Sequence, residues 1–223
     1  MMRRAILVVG TGRSGTSAMA GTLKILGAYL GEDLKPGDGL NAKGYFENTR
    51  ITDLNKALLS AADVPWYDPE GRLPMGAEPV TTALCGAIRT CIEEIFAERT
   101  PILIKDPRLC VLIDAYAAAL RDARYDLHVV RMLRDPLEVA RSMAMATNIE
   151  TDHWIPIARR HAELLEAALR RVGVNWIDCT FDDLIAWPEV TIARIATHLP
   201  FLPHLPDRVQ AVVNFIDRSL KHH

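Results

Sequence analysis

An apolar run that breaks into a glycine-rich turn and then a helix start is the feature that most constrains the fold. Residues 5–9 read AILVV without polar alternation, as expected for a central parallel strand covered on both faces. Gly10, Gly12 and Gly15 follow, and glycine lets the backbone turn its N–H groups towards an anion at the N-terminus of the next helix. The segment therefore predicts an α/β protein with a phosphate cradle after its first strand.

The loop departs at one position from G-x-x-x-x-G-K-[ST], the pattern of nucleotide triphosphatases. Thr16 stands where that pattern has lysine, and the only cation of the loop is Arg13. The predicted phosphate-binding residues are Gly12, Arg13, Ser14, Gly15, Thr16 and Ser17. We therefore expect a phosphate site that does not belong to an ordinary nucleotide triphosphatase.

Three more runs of β-forming residues follow, with helical patterns between them. They cover residues 102–104, 127–133 and 174–179. We predict a three-layer, P-loop-like α/β fold, with helices flanking a central parallel β-sheet, in a single domain over residues 1–223. The first helix should bury one stripe of side chains and end before Gly31. This stripe consists of Met19, Leu23, Leu26 and Leu30.

Composition excludes several classes of protein. A net charge of −2 and an isoelectric point near 6.4 give no general attraction to nucleic acid, so an anion site must use a few local cations. The four cysteines lack metal-binding spacing and indicate buried thiols in a reducing compartment. The apolar run at residues 5–9 is too short for a signal peptide, and no segment is apolar over the length of a membrane span. We therefore expect a cytoplasmic protein.

Two loops interrupt the helical patterns. Residues 32–47 are rich in glycine and charge, and they should lie over the carboxyl edge of the sheet, where α/β proteins bind ligands. Residues 64–79 contain Trp66 and Tyr67, which would form either the wall of a ligand site or a packing anchor. We expect substrate contacts in the first of these loops.

A second strand-to-helix turn lies at residues 131–142. Arg134 ends the strand, and Ser142 follows eight residues later, about two turns into the helix. A guanidinium and a hydroxyl that converge in this way bind phosphate through charge-assisted hydrogen bonds. An Arg-Asp-Pro turn alone is more often a structural ion pair, but together with the glycine-rich loop it predicts a second phosphate position.

The two motifs resemble the 5′-phosphosulfate loop and the 3′-phosphate site of sulfotransferases, at the same eight-residue separation of arginine and serine. Residues 44–47, 104–108 and 215–220 resemble further segments of bacterial sulfotransferase-family proteins and extend the similarity over most of the chain. The loop arginine and the Lys-Asp-Pro segment are also similar to protein-tyrosine sulfotransferases. The resemblance implies 3′-phosphoadenosine 5′-phosphosulfate (PAPS) as donor and adenosine 3′,5′-bisphosphate as product. It implies the reaction class but not the tyrosine acceptor.

Sulfuryl transfer explains why cations should gather at this site. The SO₃ group passes in line from a phosphate oxygen to an acceptor oxygen or nitrogen, and charge develops on the sulfuryl oxygens and the leaving phosphate. By the resemblance, Arg13 should neutralise the bridging and 5′-phosphate oxygens, and Lys105 should stabilise the sulfuryl group. No metal ion is required, and the sequence contains no evident cluster of metal ligands.

An acceptor hydroxyl must also lose a proton, which requires a general base. Glu47 is the first candidate, because Tyr45 and Phe46 beside it would exclude water from the carboxylate. The alternative interpretation of Glu47 is a helix-start glutamate that faces solvent.

The usual histidine base of the family has no counterpart here. Many cytosolic sulfotransferases place it two residues after the lysine that aligns with Lys105, and this chain has Pro107 there. Asp106 is therefore the second candidate for the base, and His128 and His153 are remote ones.

Two further basic residues have more than one interpretation. Arg108 would pair with Asp106, contact an acidic acceptor or hold the donor. Lys221 would reach the 3′-phosphate, as C-terminal basic residues do in the family, or belong to a frayed tail. His222 and His223 fit native residues or the remnant of a tag.

Two other functions also explain a phosphate loop. One is a P-loop kinase or nucleotide triphosphatase, against which Thr16 argues, as does the lack of an evident acidic strand end for magnesium. The other is a non-catalytic protein that binds adenosine bisphosphate. For a transferase, the acceptor is open among small molecules such as phenols, glycans, lipid head groups and peptides.

Overall fold

The computed structural model describes residues 3–65 and 78–216, in which one or more helices follow each strand. The strands are β1 (Arg3–Val9), β2 (Ile102–Lys105), β3 (Tyr125–Leu133) and β4 (Trp176–Thr180). The helices are α1 (Thr16–Ile25), α2 (Thr49–Ala61), α3 (Glu78–Phe96), α4 (Leu109–Asp122), α5 (Pro136–Thr147), α6 (Thr151–Val172), α7 (Phe181–Ala186), α8 (Pro188–His198) and α9 (Pro206–Phe215). All four predicted strands are confirmed.

β1 lies inside a parallel sheet and is buried on both faces. The strand order is β2-β1-β3-β4, and every pair of neighbours is parallel. Ala5, Leu7 and Val9 pack towards one face of the sheet, and Ile6 and Val8 pack towards the other. Burial on both faces is the property that the uninterrupted apolar run predicted.

Helices cover both faces of the sheet. The core on one face includes side chains from α2, α3, α4 and α6, and the core on the other includes side chains from α1, α7, α8 and α9. The helix α5 packs against α6 through a smaller cluster that contains Val139 and Trp154. The predicted three-layer α/β architecture is therefore confirmed.

The first helix is shorter than predicted. Its stripe is buried, but α1 ends at Ile25 rather than before Gly31. Gly27 adopts a left-handed backbone (φ 109°), and the N–H of Ala28 donates to the carbonyl of Leu23, 3.0 Å away. These are the features of a glycine-terminated helix end. The chain then runs beside β2, where Tyr29 forms a parallel bridge with Ile102.

The order of the strands brings three loops to one edge of the sheet. The chain passes from β1 to β2 on one side and then crosses to β3 on the other side of β1. Ligands of α/β proteins bind at such a reversal of strand order, beyond the carboxyl ends of the strands. Residues 10–15, Lys105 and Arg134 all follow or end strands at this edge.

Some predictions fall on parts of the chain outside the described residues. They concern Trp66, Tyr67, Lys221, His222 and His223, and they stay predictions. Within the described ranges, no helix combines the length and the apolar character needed to cross a membrane.

Candidate active site

A cavity of about 230 Å³ opens over the N-terminus of α1 at the carboxyl edge of the sheet. Its walls come from the glycine-rich loop, the 32–47 loop, α5, α7 and the end of α9. The predicted site residues that line it are Gly12, Arg13, Gly15, Thr16, Ser17, Glu47, Lys105, Arg134 and Ser142. Segments that are far apart in the sequence therefore meet at one cavity.

The first turn of α1 offers backbone donors to this cavity. Gly15 precedes the helix in a left-handed conformation (φ 91°) and no side chain caps the helix. The N–H of Met19 donates to the carbonyl of Gly15 over 3.1 Å, so Thr16 and Ser17 precede the first intrahelical bond. A Cβ at position 15 would lie 2.3 Å from the ring of Phe181, so glycine is required there. This arrangement suits an anion.

Ser14 has a different place from the one predicted. Its hydroxyl donates to the carbonyl of Thr11 over 2.7 Å, its N–H donates to the same carbonyl, and it does not line the cavity. A Cβ on Gly10 would lie 2.5 Å from the Ser14 hydroxyl, so this turn closes only because position 10 is glycine. Ser14 therefore stabilises the turn of the glycine-rich loop through these two hydrogen bonds rather than facing a phosphate.

Two guanidinium groups meet on one side of the cavity. Arg134 donates from Nε to Glu138 over 2.9 Å and from Nη1 to the carbonyl of Arg13 over 3.1 Å, and its side chain is only 4 % exposed. Its guanidinium carbon lies 4.8 Å from the ring centroid of Phe181. Arg13 donates from Nε to the hydroxyl of Ser142 over 3.0 Å. We call Arg13, Arg134 and Ser142 the arginine corner.

The charges of the arginine corner favour an anion. Burial lowers the pKa of Arg13, Tyr45 opposes this shift, and the positive charge of Arg134 adds to it. A bound phosphate would relieve the repulsion between the two guanidiniums, because its charge is opposite to theirs.

Lys105 and Glu47 form a buried ion pair on the other side of the α1 N-terminus. Lys105 Nζ donates to Glu47 Oε1 over 2.5 Å, to Ser17 Oγ over 3.1 Å and to the carbonyl of Tyr45 over 3.2 Å. The two charged side chains are 3 % and 5 % exposed. Burial lowers the pKa of Lys105, and the charge of Glu47 opposes that shift. The interpretation of Glu47 as a solvent-facing glutamate is therefore wrong.

Asp106 lies outside the cavity wall. Both of its carboxylate oxygens accept from Arg108 Nη1, at 3.0 and 3.1 Å, and Thr52 Oγ1 donates to Oδ2 over 3.2 Å. Its side chain is fully buried. Of the three interpretations of Arg108, the ion pair is the one observed, and Asp106 does not line the cavity as a base would.

We expect Asp106→Asn to lower the free energy of unfolding by about 3 kcal/mol, because it leaves the Arg108 guanidinium without its buried counter-ion. Asp114→Asn is the matched control, since Asp114 pairs with Arg171 on the surface and should cost less than about 1 kcal/mol. Urea unfolding of both variants checks this. Equal, small losses would show that the Asp106 pair is not a structural support.

The remote histidines do not line the cavity. His128 bonds to Asp126 over 3.0 Å, and His153 packs edge-on to Trp154. Among residues 3–65 and 78–216, no three His, Cys, Asp or Glu side chains are placed to hold a metal ion. The expectation that no metal is required stays a prediction.

Phe181 and Lys43 are among the contributors to the cavity that sequence reasoning missed. Phe181 packs over Gly15 and against Arg134; its only sequence signal is its position directly after a strand, at the ligand-binding edge. Lys43 donates from Nζ to the carbonyl of Phe215, which joins the 32–47 loop to the end of α9. No local pattern announces that contact, because 172 positions separate its partners.

Solved structures share this architecture. The sulfotransferase STF1 from Mycobacterium tuberculosis matches with a TM-score of 0.57 and 20% identity, over 96% of this chain and 71% of that one. The sulfotransferase domain of the Synechococcus PCC 7002 olefin synthase matches with a TM-score of 0.51 and 15% identity, over 98% of this chain and 86% of that one. No protein-family model and no curated protein sequence matches the chain. The chain therefore has the fold of these sulfotransferase structures.

Proposed function

We propose that the protein is a sulfotransferase that moves a sulfuryl group from PAPS to a hydroxyl or amine of an acceptor. The observation that carries this proposal is the composition of the cavity: a helix N-terminus lies between the arginine corner and the buried Lys105–Glu47 pair. The shared fold supports the same reaction class. Because the fold alone fixes no chemistry, the proposal depends on these side chains.

PAPS has two anionic ends, and the cavity offers two groups of hydrogen-bond donors. Arg134 and Ser142 would hold the 3′-phosphate, because a buried guanidinium and a hydroxyl face the cavity there. The backbone of the glycine-rich loop and the first turn of α1 would hold the 5′-phosphosulfate, together with Arg13. Ser14 takes no part in this proposal, since its hydroxyl and its N–H are both bonded within the loop.

The residues on the other side of the cavity would take part in the transfer itself. The bond from sulfur to the 5′-phosphate oxygen breaks as the acceptor oxygen or nitrogen bonds to sulfur, and its electron pair stays on adenosine 3′,5′-bisphosphate. The acceptor proton passes to the carboxylate of Glu47. Lys105 stabilises charge on the sulfuryl oxygens, and Arg13 stabilises charge on the leaving phosphate.

The two other functions have less support. Thr16 lines the cavity where a kinase or nucleotide triphosphatase would have its phosphate-binding lysine. A non-catalytic binder would have no use for the Lys105–Glu47 pair, since burying two charges costs more desolvation free energy than apolar packing would.

Transfer of ³⁵S from labelled PAPS to a panel of phenols, alcohols, amines, glycans and peptides tests the proposal. We expect labelled product with at least one acceptor class and release of adenosine 3′,5′-bisphosphate in equal amount. Tight binding of adenosine 3′,5′-bisphosphate without transfer to any class would support the binder instead. Magnesium-dependent hydrolysis of ATP without PAPS turnover would support the triphosphatase.

We expect Arg134→Ala to weaken the binding of adenosine 3′,5′-bisphosphate by roughly 30- to 1,000-fold, because a charged partner of the 3′-phosphate costs about 2–4 kcal/mol when removed. Arg141→Ala is the matched control, since Arg141 is an exposed arginine on the same helix as Ser142. Calorimetric titration of both variants measures the effect. Unchanged affinity in Arg134→Ala would remove Arg134 from the 3′-phosphate site.

A further inference from the structure

One carboxylate outside the cavity wall holds together the loop that forms part of that wall. Asp38 accepts from the Tyr45 hydroxyl over 2.9 Å at Oδ1 and 2.8 Å at Oδ2. Its Oδ1 also accepts from the N–H groups of Leu40 and Asn41, at 2.9 and 3.1 Å. We call these contacts the Asp38 clasp. They join Leu40, Asn41 and Tyr45 to one side chain.

The clasp fixes two carbonyl groups that bond to the cations of the site. The carbonyl of Leu40 accepts from Arg13 Nη2 over 3.3 Å. The carbonyl of Tyr45 accepts from Lys105 Nζ over 3.2 Å and from Ser17 Oγ over 3.2 Å. Both carbonyls thus belong to residues that Asp38 holds, one through a backbone N–H and one through a phenol hydroxyl.

We infer that Asp38 is a positioning residue for sulfuryl transfer, because it sets the two carbonyls that orient Arg13 and Lys105. The inference rests on the function proposed above. Arginine and lysine side chains have many rotamers, so each further fixed acceptor restricts where their charges lie. The two carbonyls add to the bonds that Arg13 makes to Ser142 and that Lys105 makes to Glu47. A displacement of about 1 Å at a reacting centre costs about 10²-fold in rate, so Asp38 affects transfer without touching a reactant.

The ionisation of the clasp suits this task at neutral pH. Burial and then the bond to Asp38 raise the pKa of Tyr45 to about 12, so its hydroxyl stays a donor. The same hydrogen bond is the largest cause of a lowered pKa at Asp38, and Lys35 lowers it further, so Asp38 stays an acceptor. The ammonium of Lys35 lies 3.8 Å from the Tyr45 ring centroid.

Three variants test the inference: Tyr45→Phe, Asp38→Ala and the double variant. Tyr45→Phe removes only one oxygen, so we expect it to keep the fold. We expect kcat to fall by about 10- to 100-fold in each single variant, with KM for PAPS within about threefold of wild type. The double variant should be no slower than Asp38→Ala, because both changes break one set of contacts. Hydrogen exchange should quicken by about tenfold or more at amides 39–45.

Tyr29→Phe is the matched control, since the Tyr29 hydroxyl donates to Glu32 over 2.8 Å in an exposed pair away from the cavity. It should leave kcat within about twofold of wild type. The inference is overturned if exchange at residues 39–45 is unchanged in Tyr45→Phe, if kcat is unchanged, or if the two single losses multiply in the double variant. Absence of transfer by the wild-type protein would overturn the proposed function and, with it, the positioning role, while the exchange measurement would still report whether the clasp exists.

Discussion

Glu47→Gln is expected to slow sulfuryl transfer to an alcohol by roughly 10²- to 10⁴-fold while the affinity for adenosine 3′,5′-bisphosphate stays near that of wild type. Glutamine keeps the shape of the side chain but cannot take the acceptor proton. The buried carboxylate that faces the cavity beside Lys105 is the basis of this expectation. Single-turnover rates with labelled PAPS and calorimetric titration with adenosine 3′,5′-bisphosphate check the two parts of this expectation.

Two further variants separate proton transfer from structural damage. Glu94→Gln is the matched control, because Glu94 forms an exposed pair with Arg50 and should leave transfer unchanged. Asp106→Asn should lose stability but keep its rate per folded molecule. Normal transfer in Glu47→Gln, combined with a lost rate in folded Asp106→Asn, would assign the base to residues 104–108 instead.

Lys105→Met should lower the single-turnover rate by about 10²- to 10³-fold and weaken the binding of adenosine 3′,5′-bisphosphate by less than about tenfold. The ammonium would act mostly on charge that develops during transfer, and the product carries no sulfuryl group. Arg13→Ala should also lower the single-turnover rate more than the affinity for adenosine 3′,5′-bisphosphate. Its loss of affinity should be larger than that of Lys105→Met, because Arg13 also belongs to the arginine corner. Rapid-quench measurements and calorimetry give the two quantities.

The loss of Lys105 also leaves Glu47 buried without its counter-ion, which is expected to destabilise the fold. The double variant Lys105→Met with Glu47→Gln removes that charge and should regain stability but not transfer. Lys56→Met is the matched control, since Lys56 is an exposed lysine paired with Asp53. Equal losses in rate and in product binding would show that Lys105 only binds phosphate and does not stabilise the transition state specifically.

The fold was predictable because its strongest signals are local. An apolar run without alternation predicts a strand buried on both faces, and residues 5–9 have no exposed side that would need polar residues. The sequence also placed both phosphate motifs at strand ends, but it did not predict the strand order, which brings the loops after β1 and β3 together and puts Arg13 in contact with Arg134. The end of α1 was mistaken, because the apolar periodicity continues past Gly27, where the backbone turns left-handed.

The side-chain contacts of the site were less predictable, because long-range contacts decide them. Ser14 belongs to the phosphate motif by spacing. Because Gly10 has no side chain, the Ser14 hydroxyl can pack against it and donate to the carbonyl of Thr11 instead of facing the cavity. Asp106 was a plausible base in the sequence, but the neighbouring Arg108 takes both of its oxygens. The carbonyl of Tyr45 carries no signature in the sequence, since any residue has a carbonyl and only the fold selects this one.

The proposed cavity should recognise two phosphate groups of one adenosine nucleotide. Calorimetric titration of the wild-type protein with adenosine 3′,5′-bisphosphate, adenosine 5′-monophosphate and magnesium ATP measures this directly. We predict that adenosine 3′,5′-bisphosphate binds without magnesium and at least about 30-fold more tightly than the monophosphate, because in the proposed site Arg134 and Ser142 would contact only the 3′-phosphate. Equal affinity for the two, or tighter binding of magnesium ATP, would contradict the account.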